Sequence, residues 1–303
     1  MTQPIPWGDL QDFLAIARAG QIARAAAQVG VDATTIGRRL RRLEARLGAT
    51  LFEQTREGQV LTEAGERLLA QVETMQRASE RIGDRIGDAG DGDRETLSGL
   101  LRVSVSEGFG TWLVAEHLHD FARRHPALTI DLVASSGFLS PSKREADVAV
   151  LLERPSAGPV VASKLADYTL RLYASRDYLD RHGTPTRDTI AAEHRLIGYI
   201  PDLLYSPELR YLREIDAGLS PALRSSSINA QARLIASGAG LGVLPHFIGG
   251  QDPALVRVMP EVEIARAFWL VTHRDTRQLR RVRAFRAWLV ELVTRHRAQL
   301  VGD

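Results

Sequence analysis

The chain has no cysteine. Disulfides, thiolate metal sites and cysteine nucleophiles are therefore excluded. Lysine is nearly absent too: Lys143 and Lys164 are the only two, and arginine supplies the other 37 of 39 basic residues. No apolar run approaches the length needed to span a bilayer. The opening "MTQPIPWGDLQDF" has no basic segment followed by an apolar one, so no secretory leader is expected. Charge of one sign is lacking as well, since the formal net charge is only +2. The molecule as a whole is not a polycation, and any basic surface must be local. A soluble, cytoplasmic protein without a membrane partner is the expectation.

What is present is a chain of 303 residues, 44% apolar and 25% charged. That length suits about two or three domains, and the composition suits ordinary cores. The motifs of enzymes and metal proteins fail on spacing. His117 and His119 stand two apart on a helix and diverge by about 200°, so they cannot share a metal. "GAGLG" at 238–242 does not follow a strand and open a helix, so it is no dinucleotide fingerprint and reads as a turn from helix to strand. No G-x-S-x-G elbow occurs. "GDAGDGDRE" at 87–95 lacks the closing glutamate of a calcium loop and reads as a hinge. No catalytic residue, cofactor or metal is expected.

Positive charge concentrates at "TTIGRRLRRLEARLG", residues 34–48, where four of the five residues from Arg38 to Arg42 are arginine. Asp32 is a good N-cap and Gly48 a good terminator, which predicts a helix between them. Ile36, Leu40, Leu43 and Leu47 fall on one stripe and should face a core. Thr34, Arg38 and Arg41 point the opposite way; Thr35 and Arg42 flank that face, and Arg39 sits on its shoulder. A basic face of this kind is most often simply solvated. Its surroundings argue for more. "DLQDFLAIARAG" and "IARAAAQVG" predict two short helices closed by Gly20 and Gly30, and "LFEQTREGQVL" reads as strand, turn, strand. Three helices with the last one basic, followed by a hairpin, make a winged helix-turn-helix whose last helix enters a major groove. Arginine can grip phosphate there or read guanine.

From Glu63 a long helix is predicted, capped by Thr62. Leu68, Val72, Met75, Ser79, Ile82 and Ile86 recur in steps of four and three, a heptad seam. Polar flanks leave that stripe narrow, favouring a two-helix dimer over packing on the helix's own domain. Beyond Leu100 strands and amphipathic helices alternate: "LLRVSVS", "TWLVAEHLHDFARRHP", "LTIDLVAS", "ADVAVLL", and a final strand "AFWLVTH". This predicts an α/β domain with a mostly parallel sheet. A last basic helix is expected at about 276–297. Serines at strand ends, Ser104, Ser106, Ser135 and Ser136, with Ser226, Ser227 and Asn229 before "AQARLIAS", could hold a carboxylate or another small anion. They could equally be plain helix caps. Glu107 beside Ser106 is unusual in an anion site and suits an amine or hydroxyl. Tyr199, Ile200 and Phe138 could supply an apolar wall.

The stretch "FLAIARAGQIARAAAQVGVDATTIGRRLRRLEARLGATLFEQTREGQVLTEAGERLL" resembles the DNA-binding segment of the LysR-type transcriptional regulators. The resemblance rests on Phe13 and Leu14, Ala25 and Ala26, Arg38, "RRLE" at 41–44, "LF" at 51–52 and "LTEAG" at 61–65. Weaker motifs, "ADVAVLLERP", "YASRDYLDRHGTP" and "IASGAGLGVLPHFI", extend it over the rest of the chain. It implies an N-terminal all-α winged helix-turn-helix at 1–62, a linker or dimerisation helix and hinge at 63–94, and an α/β effector-binding domain at 95–303. That domain would be similar to periplasmic binding proteins, with subdomain I at about 97–165 and 266–303 and subdomain II at about 166–265. DNA contacts are implied for Ala33, Thr34, Thr35, Gly37, Arg38, Arg39, Arg41, Arg42, Gln54 and Arg56. Dimer contacts are implied for Leu68, Val72, Met75, Ile82 and Ile86. Effector contacts are implied for Ser104, Ser106, Glu107, Ser135, Ser136, Tyr199, Ser227 and Asn229. The expected partners are operator DNA, a second copy as homodimer or homotetramer, a small effector, and RNA polymerase. Alternatives are a regulator without ligand and, remotely, a solute-binding protein. Four positions depart: Asp32 and Gly37 replace the family's usual serines, Ala33 a frequent glutamine, and Gln54 a wing arginine. Asp32 would repel a phosphate and Ala33 cannot pair with adenine, so an altered target sequence is expected.

Overall fold

The computed structural model describes residues 4–55, 58–89, 96–135, 137, 140–142 and 145–302, with the backbone alone at 77, 78 and 80–89. The chain divides into two units, Met1–Asp91 and Gly92–Asp303.

In the first unit α1 (Trp7–Ala19), α2 (Ile22–Val29) and α3 (Ala33–Leu47) each end on a glycine of positive φ, Gly20, Gly30 and Gly48. Phe13, Ile16, Ala25, Ile36 and Leu43 are fully buried between them. The apolar stripe of α3 leaves this core one turn early: Leu47 is 37% exposed rather than packed. Strands β1 (Phe52–Gln54) and β2 (Gln59–Leu61) pair antiparallel, with Phe52 opposite Leu61, as the expected wing. Phe52 then packs on Phe13 at 5.3 Å between ring centres. Helix α4 (Glu63–Ala89) follows, and the Thr62 hydroxyl accepts from the Gly65 N–H at 3.0 Å as the predicted cap. Of the hinge expected at 87–95, residues 87–89 continue α4, and 90–95 lie outside the described residues.

The second unit begins with β3 (Ser98–Ser106), which runs straight into helix: α5 (Glu107–Phe109), a π turn at Gly110–Val114, then α6 (Ala115–Arg124). The helix thus begins four residues before the predicted "TWLV". A Cβ on Gly110 would stand 2.5 Å from that of Ala134 and 2.6 Å from Cγ2 of Val105, so this glycine lets the helix lie directly on the sheet. Strands β4 (Ala127–Ser135), β5 (Val148–Leu151) and the long β6 (Val160–Ser175) come next. Helices α7 (Arg176–His182) and α8 (Ile190–Glu193) lead to β7 (Leu196–Tyr199). Then α9 (Leu212–Ile215), β8 (Leu223–Ser225), α10 (Ile228–Ala236) and β9 (Leu241–Pro245) follow. The chain closes with α11 (His246–Gly249), β10 (Leu255–Arg257), β11 (Glu263–His273), α12 (Arg280–Arg295) and α13 (Arg297–Val301). "GAGLG" turns α10 into β9, as its spacing implied.

Among the described residues nine strands join one sheet, in the order β4-β3-β5-β11-β6-β9-β7-β8, with β10 beside β6. The sheet is mixed, which corrects the mostly parallel expectation. Strand β3 runs parallel to β4 and β5, and β7 parallel to β8 and β9. The long strands β6 and β11 lie antiparallel between these groups, from Glu263 opposite Arg171 to His273 opposite Val160. Strand–helix alternation reports only the crossover units; it says nothing of long strands that return from a distant segment.

Candidate nucleic-acid interface and ligand cleft

The predicted cap opens α3. The Asp32 carboxylate accepts from the Thr35 N–H and hydroxyl, each at 2.8 Å, and from the Thr34 hydroxyl. Those bonds, Thr34's foremost, hold its carboxyl well below the usual range. Ala33, Thr34, Arg38 and Arg41 are exposed, while Thr35 and Gly37 are partly covered. The Arg41 Nε donates to the Gly37 carbonyl at 3.3 Å. Arg38 has no hydrogen bond or ion pair among the described residues. A Cβ on Gly37 would meet nothing within 4 Å, so this departure from serine is not forced by packing.

Two arginines are committed elsewhere. Arg39 donates to Asp12 at 3.0 Å, and Arg42 donates through Nε to Asp9 at 2.9 Å and through a second nitrogen to the same carboxylate. Asp9 and Asp12 are each 2% exposed. Their spacing of three on α1 turns both toward α3. The bond to Asp9 also raises the Arg42 pKa. Arg39 on the shoulder of the basic face and Arg42 on its flank thus have a structural partner each: buried carboxylates need cations, and these two arginines supply them. Two acidic residues three apart on a core-packing helix, Asp9 and Asp12, are the sequence signal for this pairing.

In the wing, Gln54 accepts from the Gln59 side chain across the hairpin. Arg56 lies outside the described residues. The Gln59 N–H donates to the Gly20 carbonyl at 2.8 Å, and a Cβ on Gly58 would collide with that same oxygen. Glu44 of the "RRLE" motif accepts from the Leu51 N–H at 2.7 Å, a role that spacing did not suggest.

The proposed seam on α4 is divided. Val72 is fully buried in its own unit's core, and Leu68 packs partly against it. Val72 cannot also meet a partner, and this corrects its assignment to the dimer seam. The first turns of α4 pack on α1 and β2 instead. Met75 is 47% exposed and remains available. The side chains of Ile82 and Ile86 lie outside the described residues.

In the second unit the predicted strand-end residues converge only in part. Ser104 is fully buried and Ser106 is 5% exposed at the start of α5. Glu107 reaches across to the head of α10. Its carboxylate accepts from the Ser227 hydroxyl at 2.7 Å, the Ile228 N–H at 3.1 Å and the Asn229 side chain at 3.0 Å. Asn229 also donates to Thr111 at 3.2 Å and accepts from the Trp112 indole at 2.7 Å. Ser135 is not drawn in; its hydroxyl bonds the Gly137 carbonyl. Ser136 and Phe138 lie outside the described residues.

Beside this clasp is a cavity of about 30 Å³ whose walls include Ser106, Tyr168, Tyr199, Tyr205, Tyr211 and Phe268. Only Tyr199 of these tyrosines was singled out from the sequence. The Tyr199 and Tyr211 rings meet edge to face at 5.9 Å, and Tyr168 stacks on Phe268 at 4.2 Å. Burial pushes the Tyr205 hydroxyl up to about 12 and raises those of Tyr168, Tyr199 and Tyr211 further, so all four remain protonated donors. The buried Tyr211 hydroxyl makes no hydrogen bond of ordinary length among the described residues, and the Tyr199 hydroxyl is the group that bears on it. Arg266, the cation that bears on Tyr168 and Tyr211, is already paired, with Glu208 at 2.6 Å and with Glu214.

Comparison with known proteins agrees with both units. Residues 7–66 match the bacterial regulatory helix-turn-helix of the lysR family, and residues 94–294 match the LysR substrate binding domain. The HTH-type transcriptional regulator CrgA of Neisseria meningitidis serogroup C is 27% identical over 295 residues, 93% of this chain and 95% of its own. The Mau operon transcriptional activator of Paracoccus denitrificans is 27% identical over 301 residues, covering 98% and 99%. The solved structure of Neisseria meningitidis CrgA superposes with a TM-score of 0.57 at 25% identity, over 94% of this chain and 97% of that one. Full-length CbnR in complex with its target DNA shares the fold, with a TM-score of 0.64 at 21% identity over 94% and 99%. A winged helix-turn-helix followed by a cleft-bearing mixed α/β unit, matched along nearly its whole length, makes this chain a member of the LysR family of DNA-binding transcriptional regulators, with a ligand-binding C-terminal domain.

Proposed function

We propose that the protein binds a two-fold operator as a homodimer or homotetramer, through Ala33, Thr34, Thr35, Gly37, Arg38 and Arg41 of α3 and through the wing at Gln54 and Arg56. The observation that carries this reading is Arg38, exposed on the outer face of α3 with no partner among the described residues. Arg39 and Arg42 serve the fold first and reach DNA only along the edge of that face. Dimer contact begins at the half-covered Leu68 and continues through Met75, Ile82 and Ile86. The effector domain spans 95–303, with its first subdomain at about 97–165 and 266–303 and its second at about 166–265. A small effector in the cleft between them acts by favouring one arrangement of the two. The protein acts in the cytoplasm, contacts RNA polymerase at its promoters, and catalyses no reaction.

A regulator that takes no ligand is the second reading, and the Glu107 clasp supports it, because the chain's own carboxylate already holds the cleft together. Selection of duplexes from a random pool with the full chain, followed by footprinting, tests the first claim. A recovered site with two related half-sites is expected. Arg38→Ala should weaken its binding by about 1–3 kcal/mol at matched salt. Recovery of no preferred sequence would overturn the reading.

A further inference from the structure

Helix α10 presents three donors at its head: the Ser227 hydroxyl, the Ile228 N–H and the Asn229 amide. Such a head is suited to an anion. In this chain the seat is filled from within, since the Glu107 carboxylate takes all three. A second carboxylate there would find these three donors taken and would meet a like charge.

The adjoining cavity points the same way. Among the described residues no Arg, Lys or His lines it. Arg266, near Tyr168 and Tyr211, is matched by two glutamates. A carboxylate buried among these rings would stay uncompensated. What the cavity offers is aromatic surface and a set of hydroxyls, among which the buried Tyr211 hydroxyl makes no hydrogen bond of ordinary length among the described residues. A buried hydroxyl left without a partner favours any ligand that brings an acceptor.

Building on the reading of the cleft as the effector site, we infer that Glu107 is a tethered anion that makes the cleft refuse carboxylates and accept an uncharged aromatic ligand with a hydrogen-bond acceptor for Tyr211. The cavity as it stands, about 30 Å³, is water-sized and not ring-sized. The ring therefore enters as the walls part, and the bonds from Glu107 and Trp112 to the head of α10 are those that must yield. Ligand binding and loosening of the clasp are then one event.

The test uses the full chain and a pair of ligands alike in shape and different in charge, benzamide and benzoate. Binding to the folded state raises the melting temperature with ligand concentration. Benzamide should raise it for the wild type and benzoate should not. Tyr211→Phe should abolish the benzamide effect while leaving the unliganded melting temperature nearly unchanged. Glu107→Ser empties the seat, so benzoate should now bind, and adding Ser227→Ala should remove that gain. Glu107→Gln keeps the shape if the serine variant fails to fold, and it should improve benzoate affinity by about tenfold or more. Benzoate binding the wild type as well as benzamide does would overturn the inference, and so would variants that gain no benzoate affinity. If neither compound binds the wild type, the ligand class is wrong, while selection of operator sequences by the same preparation would leave the regulator reading standing.

Discussion

Arg39 of α3 and Asp12 of α1 meet at 3.0 Å, with the Asp12 side chain 3% exposed and the Arg39 side chain 36%. The pair joins the basic helix to the core beneath it. Arg39→Ala would leave Asp12 buried and unpaired, at a cost of about 1–3 kcal/mol. Arg38→Ala, one residue away, should leave stability within about 0.5 kcal/mol, because it removes no contact within the unit. Urea unfolding and operator binding of both variants check this. A stable Arg39→Ala protein that binds DNA poorly would reverse the assignment.

Val72 and Met75 sit on one helix and should behave oppositely. Val72→Ala removes two buried methyl groups and should cost about 1–2.5 kcal/mol with the oligomer unchanged. Met75→Glu places a charge on an exposed position in line with Ile82 and Ile86. It should lower the mass measured by light scattering while the melting temperature of each protomer holds. An unchanged mass would move the dimer contact away from this helix.

Gly65 permits a close crossing. A Cβ there would press into the Leu51 carbonyl oxygen and stand 2.8 Å from Cδ2 of Leu61. Gly65→Ala should therefore destabilise the first unit by about 1–3 kcal/mol. Its helical φ means no strain from the backbone itself, so a neutral result would show that the wing can shift away from α4.

Tyr173 donates to Nδ1 of His246 at 2.8 Å, and Arg171 approaches the same nitrogen at 3.3 Å. The guanidinium can only donate, and the Tyr173 hydroxyl, pushed up to about 12 by burial, keeps its proton to donate as well. Nδ1 must therefore accept, and the neutral ring is favoured. Burial first, then Arg171 and Arg257, lowers the His246 pKa from its ordinary 6.5. Burial lowers His117, His125 and His194 in the same direction. A base whose pKa falls on folding binds more protons when unfolded. Stability is then complete above about pH 6.5 and declines as the pH drops below it. Melting temperatures measured from pH 8 to 5 should show that decline, with a shallower slope for His246→Gln, whose carbonyl can still accept from Tyr173. Equal slopes would place the effect on the other three histidines.

Local signals carried much of this architecture. The Asp32 cap, the terminating Gly48, the Thr62 cap and the strand–turn–strand of the wing all depend on residues within a few positions, and all four lie where spacing put them. Partners distant in sequence were not legible. Asp9 and Asp12 take Arg42 and Arg39 from some thirty residues away, and Glu107 finds Ser227 at a separation of 120. The same holds for β11, whose antiparallel pairing with β5 and β6 makes the sheet mixed. Heptad spacing marked a seam along α4 but could not say which covering surface it met; for Val72 the surface is its own core.

The Gly20 carbonyl joins the end of α1 to the wing through Gln59, while Asp9 and Asp12 of the same helix hold α3. Helix α1 thereby sets the distance between α3 and the wing, the two parts proposed to meet DNA. The winged unit therefore works as a fixed caliper. A duplex whose grooves do not suit that opening has to be bent or narrowed until they do, and the ease of that deformation becomes part of how this protein tells one sequence from another.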